Sequence, residues 1–203
     1  MKNVSTRLLM SSAAIGVAGG VLFTAHALVG GLAVNTVPFL YGLTMGVYFL
    51  PGTLAQALFR RGGVAMLASA LAGLVSSPFQ PIGFTALLIG LAIGVMQEAP
   101  FLIGRYRHWP TWLFWLSGTI QGVLVMGAAF GIMRGQDLGV AGAVLLFVSF
   151  FVSPPIFTGI ALWLAKALDR AGVARGLRSD EQRREQRRER LREPRPRPDA
   201  PTT

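Results

Sequence analysis

"LLMSSAAIGVAGGVLFTAHALVGGLAVNTVPFLYGLTMGVYFLPGTLAQALF", residues 8–59, runs for 52 positions without a Lys, Arg, Asp or Glu. A bilayer-spanning helix needs roughly 20 mostly apolar residues, so this run alone has room for two. The remainder agrees. Of 203 residues, 52% are hydrophobic and 14% charged, against about 25% charged in soluble domains, and the mean hydropathy is +0.53. The chain reads as an integral membrane protein. Its apolar runs are long and lack sustained two-residue alternation, which argues against a β-barrel.

Loop signals divide the apolar part into six expected helices, at about residues 8–29, 37–58, 64–78, 82–103, 112–132 and 139–165. The first break holds Gly30, Gly31, Asn35 and Pro38; the others are "FRRGG" (59–63), "SSPFQP" (76–81), "GRYRHWP" (104–110) and "MRGQDLG" (133–139). The expected fold class is therefore all-α: a six-helix membrane domain over residues 1–170, then a basic tail over 171–203. With the N-terminus in the cytoplasm, eighteen of the nineteen Lys and Arg residues fall on the inner side and only Arg134 falls outside. The positive-inside bias thus predicts that both termini are cytoplasmic. The composition, poor in charge and free of cysteine, suits a bacterial plasma membrane.

The basic start, the apolar core and Ala25-His26-Ala27 together resemble a secretory leader with its cleavage site. Cleavage there would leave five spans. The apolar core is longer than the usual 7–15 residues of such leaders, and the charge alternation works with the segment retained, which is the expectation here.

No cysteine is present, which removes disulfides, thiolate metal sites and a Cys nucleophile. The net charge of +10 is no nucleic-acid signal, because twelve of the nineteen basic residues lie from Lys166 onward. There is no HExxH, GxSxG or GxxxxGK[ST], and the two histidines, His26 and His108, have no obvious metal-ligating companion. No catalytic residue, metal or cofactor is expected. The chain is not read as an enzyme, and without a Walker motif it cannot hydrolyse ATP itself.

In the first span Ser12, Gly16 and Gly20 recur every four residues, as do Ala14 and Ala18. Such stripes let another helix approach closely, either inside the bundle or from a separate membrane protein. In the second span, which also holds Gln56, Tyr41, Thr44 and Tyr48 share one helical face. There they could line a small-molecule pocket or serve the interface and the bundle core. Trp109, Trp112 and Trp115 at the start of the fifth span suit interfacial anchoring.

"GVMQEAPF" (94–101) holds the single charge between Arg61 and Arg105, Glu98. An acid inside a span costs about 3 kcal/mol or more on insertion scales, so it must have a partner. No basic side chain lies within the spans. A cationic ligand, a proton or a hydrogen-bonding group such as Gln121 would serve, and Pro100 could bend the helix and free a carbonyl nearby. One reading is a ligand-facing carboxylate; the other is a tie between helices.

The run 38–79, then "GVMQEAPFLIGRYRHW" (94–109) and "LDRAGVARGL" (168–177), resembles the substrate-binding S components of energy-coupling-factor (ECF) vitamin transporters. The similarity is strongest to the YkoE-like branch, associated with thiamin and its hydroxymethylpyrimidine precursor. This resemblance implies an S-component bundle that captures a vitamin and docks on a transmembrane T component carrying two ATPases. It implies Glu98 as a substrate-binding residue and Ala14 and Ala18 as the docking surface for the T component; Tyr41, Tyr48, Gln97 and Gln121 join the expected substrate site, and Gly16 the expected docking surface, from their place in the spans. Ser69 and Ser76 depart from the glutamates that thiamin-type members carry in the third helix. The alternative to an S component is a structural or assembly membrane protein without a small-molecule ligand.

In the tail, Glu and Arg alternate at helical spacing through Arg192, and Pro194, Pro196 and Pro198 then favour an extended end. Membrane lipids with anionic headgroups are its expected partner, ahead of an ATPase or RNA; a solvated tail is the plainer reading. No nucleic-acid partner is expected.

Overall fold

The structure, a computed structural model, describes residues 6–106, 108–133 and 139–172. Helix α1 spans Thr6–Thr36, and α2 (Pro38–Thr44), a 3-10 turn (Met45–Phe49) and α3 (Leu50–Phe59) follow. Then come α4 (Val64–Ser76), α5 (Thr85–Ile103), α6 (Thr111–Met133) and α7 (Gly139–Arg170). Because α2, the 3-10 turn and α3 are one broken pass, the bundle has six passes, as the sequence predicts. Helices α1, α5 and α7 are each long and apolar enough to cross a bilayer. The expected tail lies outside the described residues, apart from its first two.

Consecutive passes are antiparallel, so Arg7, Arg60, Arg61, Arg105, Lys166 and Arg170 gather at one end of the bundle. That end is the basic end below.

Helix α1 does not stop at Gly30 and Gly31 as expected but continues to Thr36. Its last turn is held from within: Asn35 donates to the Gly31 carbonyl at 3.2 Å and Thr36 to that of Leu32 at 3.0 Å. Gly30, inside this helix, lies under the Tyr41 ring, where a side chain would collide.

The break in the second pass has a covalent cause. Pro51 has no N–H to give the carbonyl of Val47, and Leu50 donates to that carbonyl instead, tightening the turn to 3-10. Helix α7 completes the repair: the Ser153 hydroxyl donates to the Leu43 carbonyl at 2.6 Å and accepts from the Gly46 amide at 2.7 Å.

Small residues line the close helix contacts beside a few buried aromatic rings, Phe23, Phe49, Phe101 and Phe150, while many large aliphatic side chains lie outside. Ser12, Ala65, Ala68, Ser69, Ala72 and Ser76 are fully buried, while Leu32, Ile103 and Val140 are largely exposed. Lipid chains are as apolar as leucine, so burying large side chains gains little and close backbone approach holds the helices together. On α1 this role falls to Ser12, Gly16, Gly19 and Gly20, which face α4 and Pro51. Ala14 and Ala18 point the other way and are exposed. Gly16, grouped with them from sequence, belongs to the internal face and not to the outer one. Gly90 and Gly94 on α5 meet α4, and Gly118 and Gly122 on α6 meet α7.

A Cβ at Gly16 would sit 2.8 Å from both the Ala68 carbonyl oxygen and the Leu71 Cβ. Gly16→Val is therefore expected to lower thermal stability in detergent by on the order of 2 kcal/mol through overpacking, whereas Ala14→Val stays within about 0.5 kcal/mol of the native chain. Equal melting of the two variants would contradict this division of α1 into two faces.

Candidate functional site

A cavity of about 400 Å³ lies between α1, the broken second pass, α5 and α6, in the half of the bundle away from the basic end. Phe23, Tyr41, Tyr48 and Phe49 give it an aromatic wall, Met45 and Met96 adaptable thioethers, and Gln80 an amide. Its size and apolar lining with few polar groups are those of a small-molecule site.

The wall is organised by His26. Its Nε2 lies 2.9 Å from the Thr44 hydroxyl and its Nδ1 3.2 Å from the Tyr48 hydroxyl. Thr44 gives its own proton to the carbonyl of Tyr41 or Leu40, at 3.0 and 3.3 Å. With Thr44 donating to the backbone, the tautomer that serves both contacts has Nε2–H donating to Thr44 and Nδ1 accepting from the Tyr48 hydroxyl. The contact ties the Tyr48 hydroxyl to α1. The Tyr48 ring also packs on Phe23 with centroids 4.6 Å apart, and His26 lies 5.5 Å from the ring of Tyr41. The expected face of Tyr41, Thr44 and Tyr48 is thus brought together, although the backbone changes from α to 3-10 along it. Gln80 Nε2 is buried without a hydrogen-bond partner among the described residues. A buried donor left unpaired costs about 1–3 kcal/mol, so a ligand acceptor there would be strongly favoured.

The other sequence candidates lie elsewhere. Glu98 does not line the cavity: it is at the basic end, where its carboxylate caps α4 from the neighbouring helix. Oε2 accepts from Gly63 N at 2.8 Å, and Oε1 from Ala65 N at 3.0 Å and Met66 N at 3.2 Å. Gly63 takes a left-handed φ of 88° and brings no capping side chain to the start of α4, so the cap must come from outside the helix. The Tyr106 hydroxyl donates to Oε2 at 2.9 Å. Burial first, and then the bond to Glu98, push that hydroxyl up to about 12, so it remains a donor at neutral pH. Arg105 and Tyr106 both have positive φ, 51° and 55°, each costing about 1 kcal/mol, and the contacts of Tyr106 with Glu98 and Trp109 offset this strain. The partner sought for Glu98 is therefore backbone amide and phenol, not Gln121.

Gln97 is equally internal. It donates to the Phe49 carbonyl at 2.6 Å and to Thr53 at 3.1 Å, and accepts from Ser69 at 3.2 Å, joining α3, α4 and α5. Ser76 bonds back to the Gly73 carbonyl. Gln121 is buried on α6 and donates to Ser117 at 2.8 Å. Trp109 stacks on Phe101 with centroids 4.8 Å apart, while Trp112 and Trp115 remain largely exposed.

Residues 8–124 match the family described as ABC-type cobalt transport system, permease component. The chain belongs to that family. A comparison with curated proteins finds no match. Among solved structures, the chain is similar to one titled "Crystal structure of an S-component of ECF transporter", with a TM-score of 0.74 at 19% identity. The similarity covers 93% of this chain and 98% of that one. The fold of this permease component is thus that of an S component.

Cobalt as cargo can be tested against the residues. Cobalt(II) favours imidazole and carboxylate donors, and among the described residues no three His, Asp or Glu side chains are grouped to hold an ion. The cavity offers phenols, thioethers and an amide, a poor set for that metal. Sequence reasoning missed His26, Gln80, Phe23, Met45 and Met96. His26 had a usable signal, since it lies in a charge-free span, but its partners are 18 and 22 residues away.

Glu98→Ala should destabilise the chain by on the order of 3 kcal/mol, by uncapping α4 and leaving buried amides unpaired. Tyr106→Phe should cost about 1 kcal/mol. Thermal unfolding in detergent reads both, and native-like melting of Glu98→Ala would rule out the cap as a stabilising contact.

Proposed function

We propose that this permease component is the substrate-binding S component of an ATP-driven ECF importer, carrying thiamin or its hydroxymethylpyrimidine precursor. The observation that carries the reading is the aromatic cavity with its tethered Tyr48 hydroxyl and unpaired Gln80 amide. A flat pyrimidine would stack on the rings, and one of its acceptors would take the Gln80 N–H. The thiazolium of thiamin would be held over aromatic faces by cation–π attraction, which needs no acid. The absence of glutamates at Ser69 and Ser76 accords with that division of labour.

The basic end is assigned to the cytoplasm by the positive-inside bias, with both termini there and the cavity toward the outside of a bacterial plasma membrane. Capture from outside then follows, with energy supplied by a T component and two ATPase subunits. Ala14 and Ala18, exposed on α1, are the proposed docking residues. Glu98 and Gln97 move from ligand contact to holding the bundle, and Gln121 to a hydrogen bond within α6. Cobalt, suggested by the family description, is the second reading.

Equilibrium binding by the purified full chain separates these. Thiamin or hydroxymethylpyrimidine should saturate, and Tyr48→Ala should weaken binding roughly tenfold through the lost ring. Glu98→Gln should leave the affinity of the folded fraction within about twofold, because it is remote from the cavity. Saturable cobalt binding in place of the pyrimidines would sink the vitamin reading, and binding unchanged by Tyr48→Ala would sink the site.

A further inference from the structure

A second cavity, of about 300 Å³, opens at the basic end between the C-terminus of α3, the start of α6 and the last turns of α7. Its walls combine two chemistries. Arg60 and Lys166 are basic, and Trp109, Trp115 and Trp163 supply aromatic surface over a floor that includes Leu58 and Leu162. Asp169 is the one acid on the wall among the described residues and has an interaction partner of its own. The Arg60 amide donates to the Gln56 carbonyl at 2.8 Å, but neither the Arg60 guanidinium nor the Lys166 ammonium forms an ion pair or hydrogen bond among the described residues. Trp163 is 68% exposed and Trp115 44% exposed, so this edge of the cavity faces the bilayer.

Two basic side chains beside a hollow attract an anion. Tryptophans at a helix end mark the headgroup level, where an anion attached to acyl chains is found. The Arg60 backbone is fixed at the end of α3, which it caps in the left-handed conformation at φ 50°. We infer that this cavity binds the headgroup of an anionic phospholipid from the adjacent leaflet, its phosphate between Arg60 and Lys166 and its glycerol on the tryptophans. A free phosphate shares the charge but not the attachment to acyl chains, and the bilayer-facing aromatic edge favours the lipid. Such a lipid would bridge α3, α6 and α7 and stabilise the basic end whatever the cargo. This inference does not rest on the cargo assignment.

Native mass spectrometry of the full chain, with titrated phosphatidylglycerol or phosphatidylcholine, tests it. Phosphatidylglycerol should be retained roughly tenfold better than phosphatidylcholine, as two nearby cations warrant. The Arg60→Gln/Lys166→Gln double variant should lose that preference, and Arg7→Gln/Arg170→Gln, which removes the same charge at the same end, should keep it. Equal retention of the two lipids by the native chain would overturn the site without reliance on any variant. An equal loss in both double variants would also overturn it, reducing the effect to general attraction. Soluble glycerol 3-phosphate that displaces the lipid at similar concentration would assign the site to a free anion and overturn the lipid reading.

Discussion

The contact on which the bundle's basic end depends is the Glu98 carboxylate against the first turn of α4. Helix starts expose N–H groups that must be paired, and within a membrane water is scarce for the purpose. Here the turn 59–63 gives no capping side chain, because Gly62 and Gly63 occupy the positions where Ser or Asp would serve. A carboxylate from α5 takes their place and thereby sets the height of α5 against α4. The same registration allows Gln97, one residue earlier, to reach Phe49, Thr53 and Ser69. Two adjacent side chains thus fasten three of the six passes, one at the helix end and one in the interior.

Between these polar fastenings the helices are held by shape. Glycine and alanine line the contacts of α1 with α4, α4 with α5 and α6 with α7, and many of the large aliphatic residues are exposed on the outside of the bundle. This arrangement leaves little interior volume, so a hollow of ligand size requires an interruption in regular packing. The interruption is the 3-10 turn at Met45–Phe49, which swings Met45, Tyr48 and Phe49 onto one wall of the cavity.

Much of the architecture is legible in the sequence because bilayer physics is strict: length without charge dictates spans, and basic residues at alternate loops dictate their alternation. The Ser12–Gly16–Gly20 stripe was open between internal and external use, and only the packing of Val75 and Ala68 against it distinguishes the two. The need of Glu98 for a partner is legible in its charge-free surroundings, but backbone amides leave no trace in a sequence, so a ligand, a proton and Gln121 stand there as the candidates. The cavity was half visible. Tyr41 and Tyr48 announced an aromatic face, whereas Gln80 lies in a connection and His26 in another helix, where no periodicity links them to that face.

The Ser153 hydroxyl has one further consequence. Through a single oxygen it joins α7 to the two backbone groups, at Leu43 and Gly46, that the irregular turn would otherwise leave open. Tyr41 and Tyr48 flank that junction, so the aromatic wall is mechanically an extension of α7 as much as of its own pass. Phe150, also on α7, packs on the Tyr41 ring with centroids 6.2 Å apart, so the last helix supports the wall through side chain and backbone alike.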